Sequence, residues 1–240
     1  MYNICIGGIG GSGTRAVVEL FYKLGYFIGE DLNKPKDNLL FTLLFKHRDV
    51  LIIPKNELKY RLELFYTLMK DTNKLNIKDL DYVKQLALKK NILHPKEWLL
   101  DRYENLKFIY VYRNGLDMAY STNQNQLKLW GSIFLEENNL EISPKNSLKY
   151  WCEVDKRIRK YIKIYPNRIF MLSLEEFCLN TLEKIKELFL FLGLEAKIDE
   201  NLLSVFNMPN SVGRYKKYSL ENFDNEDLDY IINLYGMDKI

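Results

Sequence analysis

Short, continuously apolar runs alternate along this chain with longer stretches in which apolar residues recur every three or four positions. Residues 2–6 form an apolar run that ends in glycine and predicts a buried strand. From Arg15 onward, Val17, Val18, Leu20, Phe21 and Leu24 fall at helical spacing and predict a helix directly behind a glycine-rich loop. Residues 39–45 are a second apolar stretch. Over 57–69, Leu58, Leu62, Phe65 and Leu68 share one helical face, and residues 79–88 continue in that style. Residues 106–112 are apolar and aromatic throughout, as expected of a parallel strand covered on both faces, and the segment after Gly115 reads as helix. A long amphipathic helix is predicted over 147–165, broken at Pro166-Asn167 and followed by a third short strand over 168–172. Residues 181–192 form a further helix, with Thr181 as its N-cap and Gly193 as its stop. A polar, basic tail over 209–218 precedes a last helix over 224–234. Strands alternating with helices predict an α/β fold, a parallel sheet wrapped by helices on both faces.

Composition narrows the classes. At 240 residues and 47% hydrophobic content the chain can bury one sizeable core, which predicts a single domain over 1–240. There are 35 Lys and Arg against 32 Asp and Glu, a net charge of +3, too even a balance for general nucleic-acid binding, although a local basic pocket is compatible with it. Cys5, Cys152 and Cys178 are odd in number and widely spaced, with no C-x-x-C pair and no histidine cluster. That pattern predicts a reduced, cytoplasmic protein without a metal. No stretch reaches the roughly 18 uninterrupted apolar residues of a membrane span. The N-terminal apolar run lacks a basic leader and enters glycines at once, which favours a strand over a signal segment.

The loop Gly8-Ile9-Gly10-Gly11-Ser12-Gly13-Thr14-Arg15 joins the first strand to the first long helix, where unpaired N–H groups and the helix dipole favour an anion. Its glycines let the backbone curl around phosphate oxygens, and Ser12, Thr14 and Arg15 can add donors. A kinase or ATPase P-loop needs Lys and then Ser or Thr after the last glycine, whereas this chain has Thr14 and Arg15. Gly8, Gly10 and Gly13 satisfy the dinucleotide pattern G-x-G-x-x-G, with Glu30 and Asp31 about where a ribose-binding acid falls. A nucleotide-dependent kinase, an NAD-type oxidoreductase and a non-catalytic nucleotide-binding module therefore compete for this loop.

A second element separates them. The strand over 106–112 delivers Arg113 at its C-terminal end, with Ser121 eight residues on, and a guanidinium there can grip a phosphate bidentately while Asp117 caps or orients the turn. The glycine loop resembles the 5′-phosphosulfate loop of the sulfotransferases, and Arg113 with Ser121 resembles their 3′-phosphate element. Residues 121–131 are similar to a bacterial branch of that family. Leu174-Glu175-Glu176-Phe177 resembles the family's Tyr-Glu-Asp-Leu stretch, and Phe191-Leu192-Gly193-Leu194 its Phe-Leu-Gly-Leu helix end. Ser211-Val212-Gly213-Arg214-Tyr215-Lys216 resembles its C-terminal Gly-Arg loop over the cofactor.

The resemblance implies a three-layer, P-loop-like fold and sulfuryl transfer from 3′-phosphoadenosine 5′-phosphosulfate (PAPS) to a hydroxyl or amine of a small-molecule or carbohydrate acceptor. Gly10, Gly11, Ser12, Gly13, Thr14, Arg15, Arg113, Ser121, Arg214 and Lys216 would hold the donor. Residues 88–95 resemble the family's stretch in which His follows Lys by five positions, which implies Lys89 on the transferring group and His94 as general base. Asn91 replaces the family's Pro, which leaves the register between Lys89 and Lys90 open. Glu19, Glu30 and Asp31 are the alternative bases, and His47 reads as a surface residue. Two further positions depart from the pattern. Gly11 stands where many members carry Lys or Arg, which leaves Arg15 or a downstream Lys to supply that cation, and Leu174 replaces the Tyr. Tyr150, Trp130 and Trp151 read either as core or as the lining of an acceptor pocket.

Overall fold

Strand β1 (Asn3–Gly8) shows how the apolar runs divide between two layers. Its side chains alternate in direction, so Cys5 joins one buried cluster while Ile4 and Ile6 join another. In the computed structural model, which describes residues 3–26, 28–29, 31–34, 36–45, 54–70, 77–78 and 106–236, the same division runs through the neighbouring strand. That strand, β3 (Leu106–Tyr112), sends Leu106, Phe108 and Tyr110 to the first cluster and Ile109 and Val111 to the second. With β2 (Ile77–Lys78) and β4 (Ile169–Ser173) they form a parallel four-stranded sheet in the order β2-β1-β3-β4.

The helices are α1 (Thr14–Lys23), α2 (Leu39–Phe45), α3 (Lys55–Lys70), α4 (Gly115–Ala119), α5 (Ser132–Phe134), α6 (Pro144–Ile164), α7 (Leu174–Leu179), α8 (Thr181–Leu192), α9 (Glu200–Leu203) and α10 (Asn225–Tyr235). Val17, Val18, Leu20 and Phe21 of α1 and Ile185, Leu188, Phe189 and Leu192 of α8 cover one face of the sheet. Phe41 and Phe45 of α2, Leu58, Leu62 and Phe65 of α3, and Leu148, Trp151 and Ile158 of α6 cover the other. This is the three-layer α/β arrangement that the periodicity predicts.

The register places the site. Gly8 pairs with Val111 and Tyr112 with Ser173, so β1, β3 and β4 end on the same edge. From β1 the chain passes to β2 on one side and then to β3 on the other. The crevice outside the carboxyl ends of β1 and β3 is therefore a switch point, where sheets of this kind bind ligands.

Local differences from the predicted elements have local causes. β1 extends to Gly8 because Gly7 and Gly8 still pair with Tyr110 and Val111. Helix α6 starts earlier than periodicity suggested: Ser143 caps it by accepting from the Asn146 N–H, and Pro144 stands at its first turn, where no N–H is needed. Thr181 is not the N-cap of α8; Asn180 occupies that position, and the Thr181 hydroxyl donates instead to the Phe177 carbonyl of α7, at 2.7 Å. Gly193 ends α8 at φ 63°, with Leu194 N–H reaching back to Phe189 O at 2.9 Å. Residues 79–88 and His47 lie outside the described residues. Among the described residues no helix is long and apolar enough to cross a membrane, and no cysteine is in a disulfide.

Candidate functional site

Between β1 and α1 the chain turns tightly, with Ser12 N–H donating to Ile9 O and Ala16 N–H to Gly13 O, each at 3.0 Å. Gly11 and Gly13 adopt φ of 90° and 94°, the left-handed region that lets successive N–H groups converge on an anion. Gly13 is the N-cap of α1 and offers no side-chain cap, so the N–H groups of the first turn are left to the loop. Contact with β3 is close: a Cβ on Gly8 would lie 2.2 Å from Ser12 Oγ and 2.3 Å from the Val111 carbonyl. Ser12 is buried, and its hydroxyl has no hydrogen-bond partner among the described residues. Thr14 is half-buried and Arg15 exposed.

At the end of β3, Asn114 caps α4 by accepting from the Leu116 N–H at 2.9 Å, which leaves Arg113 at the strand terminus, 4% exposed. The guanidinium donates to Ser211 Oγ (2.9 Å) and Asp117 Oδ2 (3.3 Å), and its Nε lies 3.7 Å from Glu175 Oε1. Glu175 in turn accepts from the Asn114 N–H at 3.0 Å and the Ser173 hydroxyl at 3.3 Å. Arg214, on the 3₁₀ turn Arg214–Lys217, donates to Ser211 O (3.2 Å) and Tyr120 O (3.4 Å). Its pKa is lowered, first by burial and then by the positive charge of Arg113, so the two guanidiniums are electrostatic neighbours. The segment beyond is fastened to α4 by a parallel stack of Tyr120 and Tyr218, ring centres 4.1 Å apart, and by Tyr120 Oη donating to Ser219 O at 3.0 Å. Lys216 is exposed, its ammonium 5.8 Å from the Tyr215 ring centre.

The two halves meet at Ser121. A Cβ on Gly11 would lie 3.8 Å from Ser121 Oγ and 3.5 Å from Met118 Cε. Ser121 Oγ accepts from the Asn123 N–H at 3.2 Å. The preceding turn is clamped by Gln124, whose amide donates to the carbonyls of Met118, Ala119 and Ser121 while its oxygen accepts from the Ser147 hydroxyl at 2.7 Å. A small pocket beside the loop is lined by Ile9, Gly10, Asn123, Gln124, Ser147 and Trp151 among others. The π-helical turn Leu127–Gly131 follows; such turns are frequent at functional sites.

The structure thus gathers Gly10, Gly11, Ser12, Gly13, Thr14, Arg15, Arg113, Ser121, Arg214 and Lys216 on the elements at one edge of the sheet. Lys89, Lys90, His94 and Glu30 lie outside the described residues. Of the alternative bases, Glu19 is ion-paired with Lys36 and Asp31 is exposed. Trp130, Tyr150 and Trp151 are core residues, and the last two also line the pocket. Leu174, in place of an aromatic residue, packs on the glycine loop: a Cβ on Gly13 would be 2.8 Å from its methyl carbons. From the sequence, Ser211 and Gln124 take no role of their own and Asp117 only one in the turn, because Arg113 meets Ser211 across 98 residues and Asp117 meets the Gly213 and Tyr215 amides across 96 and 98.

The family model of the sulfotransferase domain matches residues 3–220. Among solved structures, the chain is similar to a sulfotransferase domain from the curacin biosynthetic pathway, with 10% identity, a TM-score of 0.56, and coverage of 97% of this chain and 96% of that one. It is equally similar to a sulfotransferase domain from the olefin synthase of Synechococcus PCC 7002, with 10% identity, a TM-score of 0.57, and coverage of 97% and 94%. No curated protein matches the chain.

Proposed function

Starting from the fact that the chain belongs to the sulfotransferase family and is a transferase, we propose that its donor is PAPS and its acceptor a hydroxyl or amine of a small molecule or carbohydrate. The observation that carries this reading is the meeting of two anion-suited elements at the carboxyl ends of adjacent parallel strands: the glycine loop after β1, and the Arg113–Arg214 pair after β3. A nucleotide with phosphate at both its 5′ and 3′ positions needs two such sites. ATP or NAD bound through the loop alone would leave Arg113 and Arg214 without a phosphate to hold, and Thr14 and Arg15 replace the Lys and Ser or Thr of a kinase loop.

The residues present fit the donor. The buried Ser12 hydroxyl lacks a partner among the described residues, and Gly11 and Gly13, at φ 90° and 94°, take the left-handed conformation from which successive N–H groups can converge on an anion. Gly10, Gly11, Ser12, Gly13, Thr14 and Arg15 would hold the 5′ side; Arg113, Ser121, Arg214 and Lys216 would hold the 3′-phosphate. When bound, PAPS supplies an activated sulfuryl group with a phosphate leaving group. Lys89 would then neutralise negative charge developing on the transferring oxygens, and a ring nitrogen of His94 would take the acceptor proton. The rest is positioning, with attacking and leaving oxygens held in line. The reading extends to a single domain over 1–240 that works in the cytoplasm without a metal, its cysteines reduced.

Adenosine 3′,5′-bisphosphate (PAP), the product left by the donor, should raise the melting temperature well above the shift given by equal ATP or NAD, because it alone fills both anion sites. A thermal-shift titration decides this. Equal stabilisation by NAD would replace the reading with a dinucleotide one.

A further inference from the structure

Asp117 is 1% exposed in the first turn of α4, and its carboxylate accepts from three groups. They are the Arg113 guanidinium at 3.3 Å, the Gly213 N–H at 2.8 Å and the Tyr215 N–H at 3.3 Å. A buried carboxylate is costly unless it is paired and hydrogen-bonded. Here one partner lies four residues away, and the other two lie 96 and 98 residues downstream. Those two amides flank Arg214. Gripping both fixes the backbone of that residue, and Gly213, at φ 76°, takes the left-handed conformation that brings its N–H to the carboxylate. The Arg214 side chain then runs to Ser211 O and Tyr120 O, beside Arg113, whose other amino group donates to Ser211 Oγ. Two guanidiniums so placed repel each other, and the carboxylate held between their backbone supports offsets that repulsion.

Resting on the donor reading above, we propose that Asp117 is the positioning residue of the 3′-phosphate site: without touching the nucleotide, it holds Arg214 against Arg113 and thereby sets the preference for PAP over nucleotides lacking a 3′-phosphate. A carboxylate that merely neutralised the guanidiniums would act in the opposite sense, since removing it would leave a more positive site and tighter anion binding.

The test is calorimetric binding of PAP and of adenosine 5′-monophosphate (AMP), which reports on the glycine loop alone, to wild type, Asp117→Asn, Arg214→Ala and the double variant. Wild type should bind PAP about ten-fold or more tighter than AMP, as a charge-assisted phosphate contact implies. Asp117→Asn should keep its AMP affinity within about two-fold while its PAP affinity falls toward the AMP value, and the double variant should lose no more than either single one, since both remove one unit. An Asp117→Asn protein with the wild-type PAP to AMP ratio, or with tighter PAP binding, overturns the inference and leaves the donor reading intact. A wild type that does not prefer PAP overturns both. Amide exchange of the wild type gives a measure that does not depend on the variant folding: PAP should slow exchange over residues 211–218 and AMP should not. Equal effects of the two nucleotides there would also overturn it.

Discussion

At the scale of single residues, the candidate chemistry divides between groups that hold the donor and groups that act on the transferred group. Arg113 is already committed to Asp117, Glu175 and Ser211, so it is a pre-formed anchor rather than a side chain that must be recruited. Preorganisation of that kind serves binding. In the proposed mechanism the proton transfer falls to His94, five residues after Lys89 in the sequence. His94→Ala should lower kcat by roughly 10²–10⁴-fold, the usual range for a positioned general base, with PAP affinity scarcely changed. Lys89→Ala should also act mainly on kcat, because the charge it meets develops on the way to the transition state. PAPS turnover in a screen of generic hydroxyl and amine acceptors, or slow hydrolysis, is the readout. Full activity of His94→Ala would transfer the role to Glu19, Glu30 or Asp31.

Elements set the geometry that these residues share. The glycine loop can approach β3 only because Gly8 has no side chain: a Cβ there would meet a backbone carbonyl at 2.3 Å, and a backbone carbonyl in a paired strand cannot step aside. Gly8→Ala should therefore destabilise the fold by about 1–3 kcal/mol, as overpacked sites do, and should weaken PAP binding as the loop is pushed off the strand. Gly25, at φ 80° with nothing within 4 Å of an added Cβ, is the control. Gly25→Ala carries only backbone strain of about 1–2 kcal/mol and should bind PAP as wild type does. Denaturant unfolding alongside PAP titration separates the two. Equal PAP affinity in both variants would show that the loop tolerates displacement from β3.

On the scale of the whole molecule, the aromatic content shapes the response to alkali. Burial raises the pKa of Tyr26, Tyr112, Tyr120, Tyr161, Tyr215, Tyr230 and Tyr235. Tyr112, at the end of β3, is pushed up to about 12, first by burial and then by the charge of Glu176. Unfolded tyrosine titrates near pH ~10, so above that pH the unfolded chain has lost more protons than the folded one. The stability held by these neutral phenols is complete below pH ~10 and is lost as the pH rises through their folded values. Urea unfolding at a series of pH values from about 9 to 11 should show stability falling with a slope of more than one proton, and Tyr112→Phe should flatten it. Stability that stays level across that range would show that these phenols are not shielded in solution.

The local pattern of the chain was enough to place strands at residues 2–6, 106–112 and 168–172, within two residues of β1, β3 and β4, together with the glycine loop and most helices, but not the two-residue β2. Periodicity and backbone permissiveness act within a few residues and can be read there. It determined the family as well, since the motifs occur in order along a chain whose family match spans residues 3–220. Tertiary structure decided which groups converge. Asp117 reaches Gly213 and Tyr215, Glu175 reaches the Asn114 amide across 61 residues, and Gly11 faces Ser121. The last two pairings depend on the strand order β2-β1-β3-β4, which sets β1 beside β3 and β3 beside β4, and the first on where the C-terminal segment folds back over α4. No spacing along the chain encodes that order, because burying two faces of a sheet is a property of the assembled layers rather than of any one segment.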